Sequence, residues 1–253
     1  MRIDQLLVQR QLASTRSQAQ RLIAGGVEWR QGEEWRRVAK NGDEVPHNAE
    51  LRLLDDAEAR YVSRGGLKLE GALKHIDLKL AGWTCLDLGQ STGGFSDCLL
   101  QAGAAQVVGL DVGQAQLHPS LREDARVVCI ESLNARDAAA VAAALDGVAP
   151  ADGFDLLVGD LSFISQTLVL PAVVPWLKAG GVLLTLVKPQ FELQPGQVGK
   201  GGIVRDAAMY PLVEQRLRAA CEALGLQVRD WFDSTISGGD GNREFFIHAI
   251  KSP

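Results

Sequence analysis

Two lysines and two carboxylates stand where short apolar runs end or are about to begin. Asp160 follows LLVG, Lys188 follows LLTLV and precedes Pro189, Glu244 opens EFFIHAI, and Lys68 lies in SRGGLKLEGAL ahead of the first such run. Charged groups at the ends of buried strands collect at one edge of an open α/β sheet, where such sheets bind ligands. Pro189 biases Lys188 toward extended backbone and so helps fix its direction. A set like this has a use in drawing a proton from a very weak acid such as a ribose 2'-hydroxyl. Lys188 could take that proton if burial and a neighbouring cation such as Lys68 disfavoured its charged form. Asp160 and Glu244 would orient the lysines while pulling the proton balance the other way. Alternatively the lysines hold the incipient alkoxide and alignment supplies most of the rate. Each residue alone reads equally well as a salt bridge or strand-end cap; the set says more.

The second group is the stretch LDLGQSTGGFSDCLL, followed by VVGLDVG. Asp87 and Gly89 fall at the end of a short apolar strand, and Gln90, Ser91, Thr92, Gly93 and Gly94 form the turn into a helix. Small residues let a ligand approach the backbone, and the helix start presents unpaired N–H groups. Asp111 ends the next strand, where its carboxylate can accept hydrogen bonds from both hydroxyls of a ribose. The spacing is D-x-G-x-x-x-G-G rather than the dinucleotide G-x-G-x-x-G, and Asp87 puts a negative charge where a pyrophosphate would lie. A cofactor with a cationic end and no phosphate, S-adenosylmethionine, fits better than a dinucleotide or a purely structural turn. Asn134 and Asp137, in ESLNARD, are placed to reach adenine or to cap the following helix.

The elements that must position these groups alternate. TCLDLG, QVVGLDV, RVVCIE, FDLLVGDLSF, GVLLTLVKP, LQVRDWF and EFFIHAIK read as strands, with helices expected around 94–102, 135–145, 165–177 and 206–224. Alternation of this kind predicts an α/β fold with an open, mostly parallel, Rossmann-like sheet. Only DSTISGGDGNR separates the last two strands, so they are expected to pair antiparallel. GQVGKGGIVRD, residues 196–206, lacks the Ser or Thr of a P-loop after Lys200. It reads as a mobile lid or an RNA-facing loop bearing Lys200 and Arg205, or as a solvent loop capped by Asp206.

The first 55 residues differ. IDQLLVQRQL and STRSQAQRLIAGG predict two short helices, the second capped by Ser14 or Thr15 and stopped by Gly25 and Gly26. Short strands follow, broken by turns at Gln31-Gly32 and Asn41-Gly42, and AELRLLD closes this small α+β unit. The whole chain carries a formal charge of −5, yet residues 1–40 hold eight Lys or Arg against four Asp or Glu. Arg10, Arg16, Arg21, Arg30, Arg36 and Arg37 could form a phosphate-binding surface or an ordinary solvated face. DDAEAR joins this unit to the rest, giving domains at 1–55 and 63–253 with a linker at 56–62. The four cysteines and four histidines are scattered, so neither a disulfide nor a metal site is expected. No apolar run reaches the roughly 18 residues of a membrane span, and the start lacks a signal-peptide core. A cytoplasmic protein is the simplest expectation.

RIDQLLVQRQLASTRSQAQRLIAGGVEW and VAKNGDEV resemble the S4-type RNA-binding domain. YVSRGGLKLEGAL, LDLGQSTGGFSDCLL, LVGDLSFIS, LVKPQFE and GNREFF resemble the TlyA family, also called the hemolysin A or FtsJ-like family of ribosomal RNA 2'-O-methyltransferases. The resemblance runs over nearly the whole chain and keeps the order of the two modules. It implies an S-adenosylmethionine-dependent enzyme that methylates the 2'-hydroxyl of a cytidine in ribosomal RNA or assembled subunits. It also implies a Lys68, Asp160, Lys188 and Glu244 tetrad with Lys188 as the principal base. Gln90, where a smaller residue is common, and TISGGDGN, lacking the proline of many relatives, depart from the pattern without touching the tetrad. A noncatalytic RNA-binding assembly factor is the main alternative. A nicotinamide dehydrogenase and a membrane-active toxin are weaker, the latter because no strongly basic amphipathic helix is present.

Overall fold

A computed structural model describes residues 1–13, 15–54, 60–238 and 241–253. The chain divides into two compact units, Met1–Leu67 and Lys68–Pro253.

In the first unit, helices α1 (Ile3–Gln9) and α2 (Arg16–Gly26) precede strands β1 (Val27–Gln31), β2 (Glu34–Arg37) and β3 (Leu51–Leu53). The strands form an antiparallel sheet in the order β2-β1-β3. Ile3, Leu6 and Leu7 on α1 and Ala19, Leu22 and Ile23 on α2 are all buried, as their helical spacing requires. The Thr15 hydroxyl accepts the Gln18 N–H and caps α2; Ser14, the other candidate cap, lies outside the described residues. Gly26 ends the helix at φ +125°, a conformation that side chains rarely adopt. Of the joining segment, residues 55–59 are likewise outside the described residues.

The second unit is entered through α3 (Gly65–His75), whose first three residues belong to the first. There follow β4 (Thr84–Leu88), α4 (Gly94–Gln101), β5 (Gln106–Leu110), α5 (Pro119–Arg122), β6 (Val127–Ile130), α6 (Ala138–Leu145) and β7 (Phe154–Gly159). Then come α7 (Leu170–Val173), β8 (Leu177–Val187), α8 (Pro189–Glu192), α9 (Met209–Ala223), β9 (Leu226–Asp233) and β10 (Phe245–Lys251). The seven strands lie in the order β6-β5-β4-β7-β8-β10-β9. The first five are parallel, whereas β10 runs antiparallel to both β8 and β9. Chain order reverses between β4 and β7, the switch point at which such sheets take their ligands. The central strands read as unbroken apolar runs because helices cover both faces; Leu86, Leu88, Val108, Leu157 and Leu183 are fully or almost fully buried.

The expected helix over 165–177 is three short turns instead: Gln166–Leu168, α7 and Val174–Trp176. Pro171 and Pro175 supply no N–H and fit only a first helical turn, so each restarts the chain. The helix expected from 135 starts at 138, where Asp137 accepts the N–H groups of Ala139 and Ala140. Among the described residues no helix is long and apolar enough to cross a membrane.

Candidate active site

Strand register brings the predicted groups into one row. Leu88 pairs with both Leu110 and Gly159, so Gly89 leaves the sheet between Asp111 and Asp160. Val187 pairs with Phe245, which sets Lys188 opposite Glu244. Lys188 is extended, at φ −109° and ψ 100°, as its following proline predicts. Lys68 arrives from α3. Its helix approaches closely because Gly71, three residues on and so on the same face, has no side chain: a Cβ there would lie 2.5 Å from Thr235 Cγ2.

The four residues form two ion pairs. Lys68 Nζ lies 2.6 Å from Glu244 Oε2, both side chains being nearly buried. Lys188 Nζ lies 2.5 Å from Asp160 Oδ1 and donates to Ser162 Oγ at 2.8 Å. Burial raises the Glu244 carboxyl above its ordinary range, opposed by Lys68 and, more weakly, Lys188, and reinforced by Asp160. Glu244 thus senses all three partners, and the tetrad is one electrostatic cluster. Next to it Arg243 grips Asp233 through two nitrogens and lies over the rings of Tyr210 and Phe245, which fixes the backbone entering Glu244.

The glycine-rich loop is shaped from beneath. Asp87 is wholly buried; Ser96 Oγ donates to its Oδ2 at 2.7 Å, and Oδ1 has no hydrogen-bond partner among the described residues. Burial pushes this carboxyl up to about 7, with the charges of Asp160 and Asp111 adding to the rise and Ser96 opposing it. Gly89 and Gly93 adopt φ of +74° and +93°, and a Cβ on Gly89 would come within 3.1 Å of the Asp160 carbonyl. Ser91 also has positive φ, Thr92 is exposed, and Gly94 opens α4. The half-exposed Asp111 carboxylate receives the N–H groups of Ser91 and Gly113, both at 2.6 Å, and so ties the loop to β5. An unpartnered buried carboxylate oxygen beside a glycine-rich loop suits the ammonium of S-adenosylmethionine, and these residues fit that cofactor. Asn134 is exposed and its side chain receives the Arg136 N–H in a local turn.

The basic residues fare unequally. Arg10 is committed to the carbonyls of His47 and Ala49, and Arg16 reaches the buried Asp4 at 3.0 Å. Arg30 pairs with Glu50, and Arg21 is half-buried on α2. Arg36 and Arg37 are exposed and make no ion pair among the described residues. Lys200 and Arg205 are exposed on the 199–205 connection, which Asn242 holds by receiving the Val204 N–H and donating to the Gly202 carbonyl. Asp206 receives the Ala208 N–H, the local cap expected of a solvent loop.

Sequence reasoning missed Ser162, which shares the Lys188 amine, and Ser96, which holds Asp87. Only Ser162 carried a signal, being two residues beyond a catalytic candidate in LVGDLSFIS. It also missed Glu192, a buried carboxylate that receives Ser165 Oγ and the Gln166 N–H.

Residues 61–251 match the FtsJ-like methyltransferase family and residues 1–26 the S4 domain. The chain is 41% identical over 246 residues to the 16S/23S rRNA (cytidine-2'-O)-methyltransferase TlyA of Mycobacterium tuberculosis, covering 97% of this chain and 88% of that protein. It is 36% identical to Hemolysin A of Brachyspira hyodysenteriae, covering 99% of this chain and all of that one. Among solved structures, a candidate hemolysin from Streptococcus thermophilus superposes with a TM-score of 0.72 at 39% identity, covering all of this chain and 88% of that one.

Proposed function

Because the chain belongs to the FtsJ-like methyltransferase family, and within it to the TlyA and hemolysin A group that adds an S4 domain, we propose that it methylates the 2'-hydroxyl of a cytidine in ribosomal RNA. The observation that carries this reading is the row formed by Asp160, Lys188 and Glu244, with Lys68 ion-paired to it and the unpartnered oxygen of Asp87 on the neighbouring strand. S-adenosylmethionine supplies, when bound, a methyl group on a cationic sulfur. Asp87 Oδ1 would accept from its ammonium, Gly89, Ser91, Thr92, Gly93 and Gly94 would line its site, Asp111 would take the ribose hydroxyls, and Asn134 would serve adenine. Lys188 accepts the proton of the target hydroxyl. Asp160 aims the amine, and Lys68, itself held by Glu244, offers positive charge to the developing alkoxide.

Residues 1–55 are the RNA-binding domain, 56–62 the linker and 63–253 the catalytic domain in this reading. Arg36, Arg37, Lys200 and Arg205 are the most available cations for phosphate, while Arg10, Arg16, Arg21 and Arg30 contribute with whatever capacity their own fold leaves them. The substrate is ribosomal RNA or an assembled subunit, met in the cytoplasm.

The test is to incubate the protein with radiolabelled S-adenosylmethionine and unmodified small or large subunits, with Lys188→Ala beside it, and to map the label. Label on a cytidine 2'-oxygen, reduced about 100-fold or more in the variant, is expected. Absence of transfer despite cofactor and RNA binding would favour a noncatalytic assembly role.

A further inference from the structure

The Lys188 amine is ion-paired to Asp160 Oδ1 at 2.5 Å and donates a hydrogen bond to Ser162 Oγ at 2.8 Å. A neutral amine has two N–H bonds and one lone pair. Once the amine is neutral, one N–H bond held by Ser162 and the other turned toward the Asp160 carboxylate leave the lone pair a single free direction. Without the Ser162 hydroxyl, rotation about Cε–Nζ lets the lone pair and the N–H bonds exchange places, and the lone pair no longer has one direction.

The segment carrying Ser162 is held to the segment carrying Lys188. Beyond Phe163, whose φ of +65° turns the chain sharply, Ser165 Oγ donates to Glu192 Oε2 at 2.5 Å and the Gln166 N–H to Glu192 Oε1 at 2.8 Å. The Gln166 side chain donates to the Leu186 carbonyl and accepts from the Thr185 hydroxyl, both at 2.7 Å. Thr185 and Leu186 lie on β8 just before Lys188, and Glu192 ends α8 just after it. Ser162 itself is exposed, at the mouth of the site. Four hydrogen bonds behind an exposed hydroxyl are more than a surface turn needs.

We propose that Ser162 is a positioning residue for the transfer: it accepts a hydrogen bond from the Lys188 amine beside the Asp160 ion pair and directs the lone pair at the substrate hydroxyl. The hydroxyl proton passes to Lys188 Nζ while the oxygen–carbon bond forms. The carbon–sulfur bond breaks, and its electron pair stays on the sulfur of the departing thioether. The inference rests on the reading above that Lys188 is the base.

Steady-state methylation by the full chain is compared for wild type, Ser162→Ala, Ser162→Thr and Lys188→Ala, with cofactor affinity measured by calorimetry. Ser162→Ala is expected to lower kcat about 10- to 100-fold, the worth of one hydrogen bond to an ionising group. KM for RNA and cofactor affinity should stay within about twofold of wild type, since uniform binding is untouched. Ser162→Thr, which keeps the hydroxyl, should recover most of the rate. A general loosening of the loop would not be rescued by Ser162→Thr and would move binding as well. Wild-type kcat in Ser162→Ala while Lys188→Ala is inactive overturns the role of Ser162 alone. A raised KM with unchanged kcat overturns it too, making Ser162 an RNA contact. Full activity in Lys188→Ala removes the base assignment on which both readings stand.

Discussion

Each unit buries one aspartate completely, and the two are treated in opposite ways. Asp4, on α1, receives Arg2 Nε and Nη2 at 3.0 and 2.9 Å and Arg16 Nη2 at 3.0 Å. Arg2 above all holds its carboxyl well below the usual carboxylate range. Asp87, near the end of β4, has a serine hydroxyl and no cation among the described residues, and burial pushes its carboxyl up to about 7. Neither side chain is reached by water, yet their proton affinities are opposite, because Asp4 lies under a thin cover that includes two guanidinium groups whereas Asp87 lies deep with a serine as its partner. Asp4 is completed inside the fold and serves stability. Asp87 is left incomplete, and a ligand carrying an ammonium completes it.

Removing the two carboxylates should sharpen this contrast. Asp87→Ala is expected to weaken S-adenosylmethionine about 100-fold, the loss of a buried charge-assisted hydrogen bond. The melting temperature of the cofactor-free protein should hold or rise, because an unpaired buried carboxylate opposes folding. Calorimetric titration beside a thermal melt reads both; lower stability with unchanged affinity would make Asp87 an ordinary core group.

Asp4→Asn comes second. It should cost about 1–2 kcal/mol of stability in denaturant titration, modest because Arg2 and Arg16 are roughly half-exposed and water screens them. Methyl transfer per folded molecule should not change. The pH signs also differ. Asp4, with its folded pKa depressed, contributes stability that is present above the unfolded value near ~4 and lost as pH falls below it. Asp87, with its folded pKa raised, makes the cofactor-free protein less stable as pH rises from about 4 to about 7. A melt series at pH 3 to 8 that showed no acid-side loss attributable to Asp4, by comparison with Asp4→Asn, would break the comparison.

The sequence carried the catalytic row further than it carried the contrast between the aspartates. Asp160, Lys188 and Glu244 were legible because each is next to a strand-length apolar run, and strand ends are set by period and length. Their mutual distances come from register, which no local signal specifies: Val187 opposite Phe245 depends on the whole of β8 and β10. By residue type the first-unit arginines read as a phosphate-binding surface or as a solvated face. Asp4 lay among them in IDQLLVQ, but the sequence alone does not say that it is fully buried and claims Arg2 and Arg16. The broken helix at 165–177 had its signal in Pro171 and Pro175, which the apolar pattern around them concealed. Ser162 and Ser96 act through side-chain geometry in turns, where residue type predicts little.

The smallest effect is the most specific to Asp87. Ser96 Oγ donates to Asp87 Oδ2 and receives Gln90 Nε2 at 2.8 Å. Gln90 finds room because Gly109 has no side chain; a Cβ there would lie 2.1 Å from Gln90 Cδ. The Ser96 hydrogen bond favours the ionised carboxyl, so Ser96→Ala should raise the Asp87 pKa above about 7. Binding needs Asp87 ionised and the ligand amine protonated. Wild-type affinity should therefore fall on the acid side through about 7 and on the basic side through the amine's own range near ~8. Ser96→Ala should move only the acid limb, upward, leaving affinity a few-fold lower at neutral pH, while the basic limb stays because it belongs to the ligand. Calorimetric affinities between pH 5.5 and 9 separate the limbs. A uniform loss at every pH would mean that Ser96 shapes the loop rather than the charge of Asp87.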